Sequence, residues 1–597
     1  MPTLATAFRV SIPVPAHHLV HVEATVSAAA GALPDSLVLF MPVWTPGSYL
    51  VREYARHVEG LTAEAPARAS KVRKNAWQLR TGGASRVRVR YRVYAGDLSV
   101  RTSHVDDHHA FLVSAALFLG IEGCEDAPVR IEFALPSGWR VTTPLPESPA
   151  GTEPGARCYD APSYDALVDS PFELGRAHRE DTFEAQGVPH RVAICPGGAA
   201  GERDVQRFLG DAKTLVETLA KLVGGRLPYE SYHLFLHLRS QGRGGLEHRS
   251  SAALIAPPSA FATREAYLDL LSLVAHEIFH AWNIKRIRPA GLVPYRYDQE
   301  CYTRLLWWFE GATSYYDWRC LALARLCTLD EYLDHLAAEI AYLDQTPGRH
   351  VTALEDASYD AWIKLYRPDE NSANSSVSYY RKGEVVSALL DLELRARTDG
   401  RTTLDAVLAY LWTEYGEPER PVPEDAMQAI FEHVAGVPMG DLFDAWVRGT
   451  SEIPYAATLA RFGLSLERAP RSDSPPCSLG ARFRSDAGRA FVTTVARDSA
   501  AARGGIDAGD EVLGIAGLRV EGVNVDAALR GRTPGQTVDV VIARDGHLAV
   551  KNVTLDPPRP DRVKLVPMRD ASDAARRAFE SWLGPHPTWS GGSRAAP

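Results

Sequence analysis

The stretch Leu270–Arg286, LLSLVAHEIFHAWNIKR, contains two histidines spaced four residues apart, His276 and His280. An α-helix places residues four apart on the same face, about one turn from each other, so both imidazoles can reach one metal ion. Glu277 follows the first histidine and completes an HExxH pattern. This pattern indicates zinc, with the glutamate beside a zinc-activated water. The flanking residues are mostly apolar, which predicts a buried helix.

A catalytic zinc needs a third protein ligand and an open coordination position. The candidate ligand is Glu310, which lies in the apolar, helix-prone run Trp307–Thr313. The alternative is an exposed helix glutamate, but the aromatic neighbours of Glu310 argue against exposure. We therefore predict one Zn²⁺ per chain, bound by His276, His280 and Glu310.

The same region predicts a hydrolytic reaction. Glu277 would act as general base, taking a proton from water as the water attacks a carbonyl, and would then pass that proton to the leaving amine. The resulting oxyanion needs a second donor besides the metal. Tyr380 is the candidate donor and Tyr379 the runner-up, because a phenol is neutral at pH 7 and can donate. A core tyrosine with a satisfied hydroxyl is the alternative interpretation.

Composition excludes several classes of protein. The chain has 597 residues, of which 45% are hydrophobic and 23% charged, so we expect several globular domains. A net charge of -9 argues against a nucleic-acid partner. No run approaches the ~18 apolar residues of a membrane span. The N-terminus has no basic start followed by an apolar core, so we expect a cytoplasmic protein, or an exported or periplasmic one if a signal peptide has been removed.

Hydrophobic periodicity predicts a multidomain chain. Period-2 alternation, clearest in Arg86–Tyr94, predicts an N-terminal all-β domain over residues 1–178. Helical spacing then dominates, and we expect an α+β, mainly helical domain over 179–460. Short strands with two short helices predict a small β domain over 465–556. The tail 557–597 is expected to be partly disordered, with one short helix near Ala571–Leu583 and disorder over Ser590–Pro597.

Two further groups of histidines are candidate metal ligands. Asp106–His109 reads DDHH, but adjacent side chains rarely converge on one ion, so a polar turn is favoured. His233 and His237 share one side of the predicted strand Tyr232–Leu238, and we interpret them as structural. The seven cysteines are scattered without a CxxC pair, which favours reduced thiols.

Several motifs together resemble the glycyl aminopeptidase family of gluzincin zinc metallopeptidases. Members carry an N-terminal β domain, a thermolysin-like catalytic domain and a C-terminal PDZ domain, and the resemblance covers roughly residues 5–560. The motifs that carry it are Trp44–Tyr49 (WTPGSY), Gly244–His248 (GGLEH), His276–Asn283 (HEIFHAWN), Phe309–Thr313 (FEGAT) and Tyr380–Gly383 (YRKG), with Ser499–Ile515 resembling the PDZ pattern of prokaryotic proteases.

The resemblance implies a specific substrate. Gly245 and Glu247 occupy the place of the exopeptidase strand, in which the glutamate binds the free α-amino group and the backbone pairs with the peptide. His248 stands where relatives have asparagine, and we assign Tyr379 to the substrate-binding residues as well. The implied activity is removal of small N-terminal residues, glycine and then alanine, from peptides with a free N-terminus. The PDZ-like domain would take a peptide, or an intramolecular segment as a structural cap.

Two alternatives stay open from the sequence. A zinc endopeptidase would require that Glu247 does not block the cleft. A PDZ-bearing binding protein on an inactive protease scaffold is the second, although the intact HExxH pattern argues against it.

Overall fold

The structure is a computed structural model that describes residues 4–148, 156–176, 178–522 and 524–589. The predicted disorder of Ser590–Pro597 falls outside these residues. The chain divides into two compact units: one comprises Met1–Tyr302 and Leu408–Val422, and the other comprises Thr303–Val407 and Pro423–Pro597. No helix within the described ranges has both the length and the apolar character of a membrane span.

The N-terminal part of the first unit is built from three sheets. In Arg86–Tyr94 the valines and Tyr91 are buried and most of the arginines are exposed, as period-2 alternation requires. The seven-stranded sheet has the order Glu147–Ser148, Arg157–Ala161, Val129–Ala134, Leu4–Ser11, Leu19–Ala28, Arg86–Tyr94, Val58–Ala63. A five-stranded sheet has the order Arg140–Thr142, Phe172–Gly175, His109–Leu112, Thr102–Val105, Gly96–Ser99. A four-stranded sheet has the order Gly120–Ile121, Ser36–Phe40, Ala76–Arg80, Arg68–Arg73.

A fourth sheet in this unit positions the candidate site. Its strands have the order Arg179–Ala185, Val188–Cys195, Tyr232–Leu238, Ser251–Ala256, Gly244–Glu247. The three inner strands are parallel and the edge strand Gly244–Glu247 is antiparallel. Every residue of Tyr232–Leu238 is buried, as expected for a central parallel strand. The helix Glu202–Leu222 connects the strands Val188–Cys195 and Tyr232–Leu238, the helix Arg264–Phe279 follows the last strand, and the two helices pack against each other.

The second unit begins with helices. Thr328 and Glu331 form a capping box at the start of Leu329–Asp344, which satisfies amide groups that a helix end leaves unpaired. The helices are Thr313–Leu323, Leu329–Asp344, Leu354–Tyr359, Ser372–Ser375, Tyr379–Arg397, Met427–Ala435, Gly440–Leu442 and Tyr455–Ala460, with π-helical turns at Trp307–Ala312 and Phe443–Val447. Leu404–Leu411, with the π-helical turn Trp412–Gly416, crosses the boundary between the units.

The second unit ends with the small β domain. Its sheet contains Ala481–Asp486, Arg489–Val495, Glu511–Ile515, Leu518–Arg519, Thr537–Arg544 and His547–Thr554, with helices Ala500–Arg503 and Val525–Leu529. Leu464–Ala469 pairs with Arg562–Pro567 outside this sheet. The helix predicted in the tail is present at Asp573–Leu583, where the Trp582 indole donates to the Tyr315 hydroxyl over 2.9 Å. The predicted fold class is therefore confirmed: an all-β start, a mainly helical α+β middle and a small β domain.

Candidate active site

The helix Arg264–Phe279 carries His276 and Glu277, and His280 follows as its C-terminal cap. The imidazole ring centroids of His276 and His280 lie 4.6 Å apart, with the ring planes nearly perpendicular. Nδ1 of His280 lies 2.9 Å from the backbone oxygen of Asn283, which can only accept, so Nδ1 donates. The neutral ring then has its lone pair on Nε2, which is the state that a zinc ligand needs.

Glu247 joins these residues from the neighbouring sheet. A carboxylate oxygen of Glu247, a carboxylate oxygen of Glu277 and a ring nitrogen of His280 all lie within 4.8 Å of one another. We call these three residues the active-site cluster. All three are buried, and Oε1 of Glu247 has no hydrogen-bond partner. A buried carboxylate oxygen without a donor is costly, so this position is suited to a cationic or hydrogen-bonding ligand.

Gly245 allows the edge strand to lie directly against the metal-motif helix. A Cβ built on Gly245 would lie 2.0 Å from Oε1 of Glu277, which no side chain can occupy without displacing that carboxylate. The Gly245 carbonyl accepts from the Arg101 guanidinium at 3.1 Å. The strand is thereby held at a fixed distance from Glu277, and Arg101 is a positioning residue that the sequence did not suggest.

A loop of the N-terminal domain also reaches the active-site cluster. Gly47 has φ of +90°, and a Cβ on it would lie 2.5 Å from both carboxylate oxygens of Glu247. The loop is anchored because the Trp44 indole donates to the Arg296 carbonyl at 2.8 Å, and the Arg52 guanidinium donates to the Ser48 hydroxyl at 2.7 Å. In the sequence the WTPGSY motif contributes only to the family resemblance, and its proximity to Glu247 is an observation of the structure.

His248 points away from Glu247, as strand alternation requires. Its Nδ1 lies 3.5 Å from Oδ1 of Asp169, and Nζ of Lys285 lies 2.8 Å from the same oxygen. Burial raises the pKa of Asp169, but the Lys285 ammonium and the His248 ring outweigh it and hold that pKa well below its usual range. His248 therefore lies beside the buried Asp169–Lys285 ion pair.

The second unit contains the other predicted site residues. Glu310 is buried in the π-helical turn Trp307–Ala312. Gly311 packs closely on Gly383, because a Cβ on Gly311 would lie 2.5 Å from the Gly383 Cα. This contact fixes Glu310 relative to the helix Tyr379–Arg397 that carries both tyrosines.

Tyr379 and Tyr380 stack on each other, with ring centroids 4.7 Å apart. The Tyr380 hydroxyl lies 3.3 Å from the Tyr366 hydroxyl. Burial, and then the charge of Glu310, raise the pKa of Tyr380 well above its usual value, so the phenol stays protonated and can donate. Burial likewise raises the pKa of Tyr379.

Family models match three segments of the chain. The peptidase M61 N-terminal domain matches residues 7–176, the M61 glycyl aminopeptidase matches residues 269–386, and the PDZ domain matches residues 477–555. A solved structure of an aminopeptidase N family protein from Idiomarina loihiensis is 29% identical and superposes with a TM-score of 0.90, over 97% of this chain and 100% of that one. No curated protein matches the chain in sequence.

Two more distant solved structures are similar over part of the chain. An M1 zinc metallopeptidase from Deinococcus radiodurans is 14% identical with a TM-score of 0.48, over 76% of this chain and 96% of that one. Native yeast LTA4 hydrolase is 13% identical with a TM-score of 0.46, over 77% of this chain and 70% of that one. At these TM-scores the likeness carries no conclusion about function. The family models and the Idiomarina structure, by contrast, confirm the predicted resemblance to the glycyl aminopeptidase family and the predicted zinc metallo-aminopeptidase, with segments similar to the M61 N-terminal domain, the M61 glycyl aminopeptidase and a PDZ domain.

Proposed function

We propose that the protein is a zinc aminopeptidase that removes small N-terminal residues, glycine and then alanine, from peptides. The observation that carries this proposal is the buried Glu247 carboxylate, which has an oxygen without a hydrogen-bond partner and lies beside Glu277 and His280. A free α-amino group is a cationic donor that would satisfy this oxygen. An ammonium held there would leave only the first peptide bond within reach of Glu277.

We assign the metal to His276, His280 and Glu310. The donor set of two imidazoles and one carboxylate suits zinc, and the orientation of the His280 ring through Asn283 supports its role as a ligand. Glu310 is buried in an apolar turn, and the glycyl aminopeptidase model spans all three residues. Bound zinc would supply Lewis acidity and lower the pKa of water toward about 7.

The side chains of the protein carry out the proton transfers and stabilise the developing negative charge. Glu277 takes one proton from the attacking water, the water oxygen bonds to the carbonyl carbon, and Glu277 returns the proton to the nitrogen as the C–N bond breaks. The Tyr380 hydroxyl donates to the oxygen that becomes negative, which its raised pKa favours because the phenol stays protonated. Tyr379 and the backbone of Gly245 flank the substrate.

The preference for small residues is consistent with the position of the Gly47 loop. The loop backbone lies against the Glu247 carboxylate, so little space remains near the carbon that bears the substrate's ammonium group. We propose that this wall disfavours side chains longer than that of alanine.

Hydrolysis of glycine p-nitroanilide and of its N-acetylated form tests the proposal, each with and without a chelator. We expect cleavage of the free amine only, loss with chelator and recovery with zinc. The rate of cleavage should decrease from the glycine compound to alanine p-nitroanilide and then to leucine p-nitroanilide. Equal cleavage of the blocked compound would show that Glu247 does not anchor an amine and would indicate an endopeptidase. No cleavage by the zinc-loaded protein would favour a binding function.

A further inference from the structure

A pocket lined by arginines lies at the start of the edge strand Gly244–Glu247. Its volume is about 240 Å³, so it can hold a group larger than a single water molecule. All of its lining residues belong to the first unit, and three of them are arginines, namely Arg101, Arg239 and Arg243. We call this pocket the basic pocket.

The charges around the basic pocket do not cancel. The Arg243 guanidinium is already paired, because its Nε lies 2.6 Å from Oδ2 of Asp269. Asp97 is the acidic residue of the lining, and it is exposed to solvent. Among the residues that the structure describes, neither Arg101 nor Arg239 forms an ion pair with a carboxylate. The basic pocket therefore presents two half-buried cations that an anionic ligand can neutralise.

Backbone carbonyl groups hold these two arginines in place. Nη2 of Arg101 donates to the Gly245 carbonyl at 3.1 Å, and Nη1 of Arg239 donates to the Leu98 carbonyl. The backbone of Arg101 is fixed as well, because its carbonyl accepts from the Tyr54 hydroxyl at 2.7 Å. A guanidinium has five N–H donors, so each arginine keeps donors for a ligand. Nε of Arg101 is buried and has no hydrogen-bond partner in the described part of the chain.

The edge strand leads from the proposed amine site to the basic pocket. Gly244–Glu247 is the outer strand of its five-stranded sheet, so a peptide can pair with its free side. A peptide whose amine is held by Glu247, the last residue of the strand, pairs with the rest of the strand only by extending toward Gly244. Three steps along a strand cover about 10 Å, which is also the length of an extended tripeptide.

The carboxylate of such a tripeptide would lie beside Arg101. Nη1 of Arg101 is 3.8 Å from the position that a Cβ on Gly244 would occupy, and Nη2 is bonded to Gly245. The guanidinium thus lies level with the end of the tripeptide. Hydrogen bonds between arginine and a carboxylate are about twice as strong as those between neutral groups. A longer peptide would have a neutral amide at this position and would lose that difference.

We propose that Arg101 and Arg239 bind the C-terminal carboxylate of the substrate, so that free tripeptides are the preferred substrates. This inference rests on the proposed function, because it needs the substrate amine to be held at Glu247. Glu247 and the basic pocket would then recognise the two ends of one short peptide and select it by length. Arg101 would have this role in addition to positioning the edge strand.

Comparison of the tripeptide Gly-Ala-Ala with its C-terminal amide tests this inference on the unaltered protein. Amidation removes the negative charge and leaves the amine and the scissile bond unchanged. We expect kcat/KM for glycine release to be about 10- to 100-fold lower for the amide, mainly through KM. Gly-Ala-Asp-amide has its carboxylate in a side chain, and we expect it to be cleaved as slowly as the neutral amide.

Variants of the basic pocket give the second test. Arg239→Met should reduce the preference for the free tripeptide over its amide to less than about threefold, and Arg239→Lys, which keeps the charge, should give an intermediate preference. Arg191→Met, at an exposed position of the same sheet, is the matched control and should keep the wild-type preference. If Arg239→Met fails to fold, the comparison of substrates with the wild-type protein decides alone.

The outcomes separate this inference from the proposed function. Equal cleavage of Gly-Ala-Ala and its amide by the wild type, or an unchanged preference in Arg239→Met, would overturn the inference and leave the aminopeptidase proposal standing. Cleavage of Gly-Ala-Asp-amide as fast as Gly-Ala-Ala would also overturn it, because an acidic side chain would then be the group recognised. If the zinc-loaded protein cleaved neither tripeptide nor glycine p-nitroanilide, the proposed function itself would be refuted, and this inference with it.

Discussion

The active-site cluster and the buried group of His109, Glu173, Cys195 and His237, which we call the inter-sheet cluster, are built from similar residues and differ in how their carboxylates are satisfied. Both lie in the first unit, and each combines buried carboxylate and imidazole groups. Each oxygen of Glu173 has a histidine partner at 3.0 or 2.9 Å, whereas Oε1 of Glu247 has none. Burying an unsatisfied carboxylate destabilises a fold, and the proposed substrate amine would supply the donor that Oε1 of Glu247 lacks.

The glycines near the two clusters strengthen this contrast. A Cβ on Gly47 would lie 2.5 Å from the Glu247 carboxylate oxygens, and a Cβ on Gly245 would lie 2.0 Å from Oε1 of Glu277. The backbone at these two glycines therefore leaves only a small space beside the two carboxylates, and it adds no hydrogen bond to Glu247. Around Glu173 the neighbouring space is filled by histidine rings and a thiol. A polar group that is held in place but left unsatisfied indicates function, and a satisfied one indicates structure.

The largest expected effect is on the rate of hydrolysis. Glu277→Gln removes the proton acceptor and keeps the shape, so kcat/KM for glycine p-nitroanilide should fall by about 10²- to 10⁴-fold. Glu265→Gln, at an exposed position of the same helix, is the matched control and should leave the rate unchanged. Zinc content should be equal in both variants. A Glu277→Gln enzyme with near wild-type activity would remove Glu277 from the mechanism.

The next largest effect is on the free energy of unfolding, and we expect it for a substitution in the inter-sheet cluster. Glu173→Gln places an amide donor opposite a histidine N–H and removes the charge that balances the cluster. Breaking a buried ion pair typically costs about 3 to 5 kcal/mol, so we expect a loss of that order in the free energy of unfolding, measured by denaturant titration. Glu180→Gln, at a half-buried carboxylate bonded to His178, is the comparison and should lose less. Equal losses would show that Glu173 has no special role.

The sequence predicted one of these clusters far better than the other. His276, Glu277 and His280 are local, so the helical repeat alone brings them together. The contact of Gly47 with Glu247 and the meeting of His109 with His237 depend on strand register and sheet packing between distant segments. Periodicity carries no information about such contacts.

The histidines outside the HExxH motif show the same limit. Asp106 does form the predicted turn, since its Oδ1 accepts from the His108 and His109 amides at 2.8 and 2.9 Å. His109, however, begins a strand and faces inward toward Glu173. The interpretation of His237 as structural stays a prediction. In the inter-sheet cluster, Nε2 of His237 lies 2.9 Å from Oε2 of Glu173. His109 itself lies 3.0 Å from Glu173 and close to His237, which belong to other strands.

Glu247→Gln separates binding from stability. A hydrogen bond to a charged group contributes about 1.5 to 3 kcal/mol, so kcat/KM for the free amine should fall roughly 10- to 150-fold, mainly through KM. The free energy of unfolding should stay the same or rise, because the variant removes an unsatisfied buried charge. Glu230→Gln, at an exposed position, is the control. A loss of stability like that of Glu173→Gln would end the distinction between the two clusters.

The smallest effect tests the wall that Gly47 forms. Gly47→Ala and Gly83→Ala both place a side chain at positive φ, +90° and +76°, so each should destabilise the fold by about 1 to 2 kcal/mol. Only the first puts a Cβ 2.5 Å from the Glu247 carboxylate, whereas the site around Gly83 has nothing within 4 Å. We therefore expect about a tenfold fall in kcat/KM for Gly47→Ala and none for Gly83→Ala, measured with glycine p-nitroanilide. Alanine p-nitroanilide should lose more than the glycine compound, because the added methyl narrows the same space. If both variants kept full activity, the loop would not position Glu247, and the preference for small residues would need another wall.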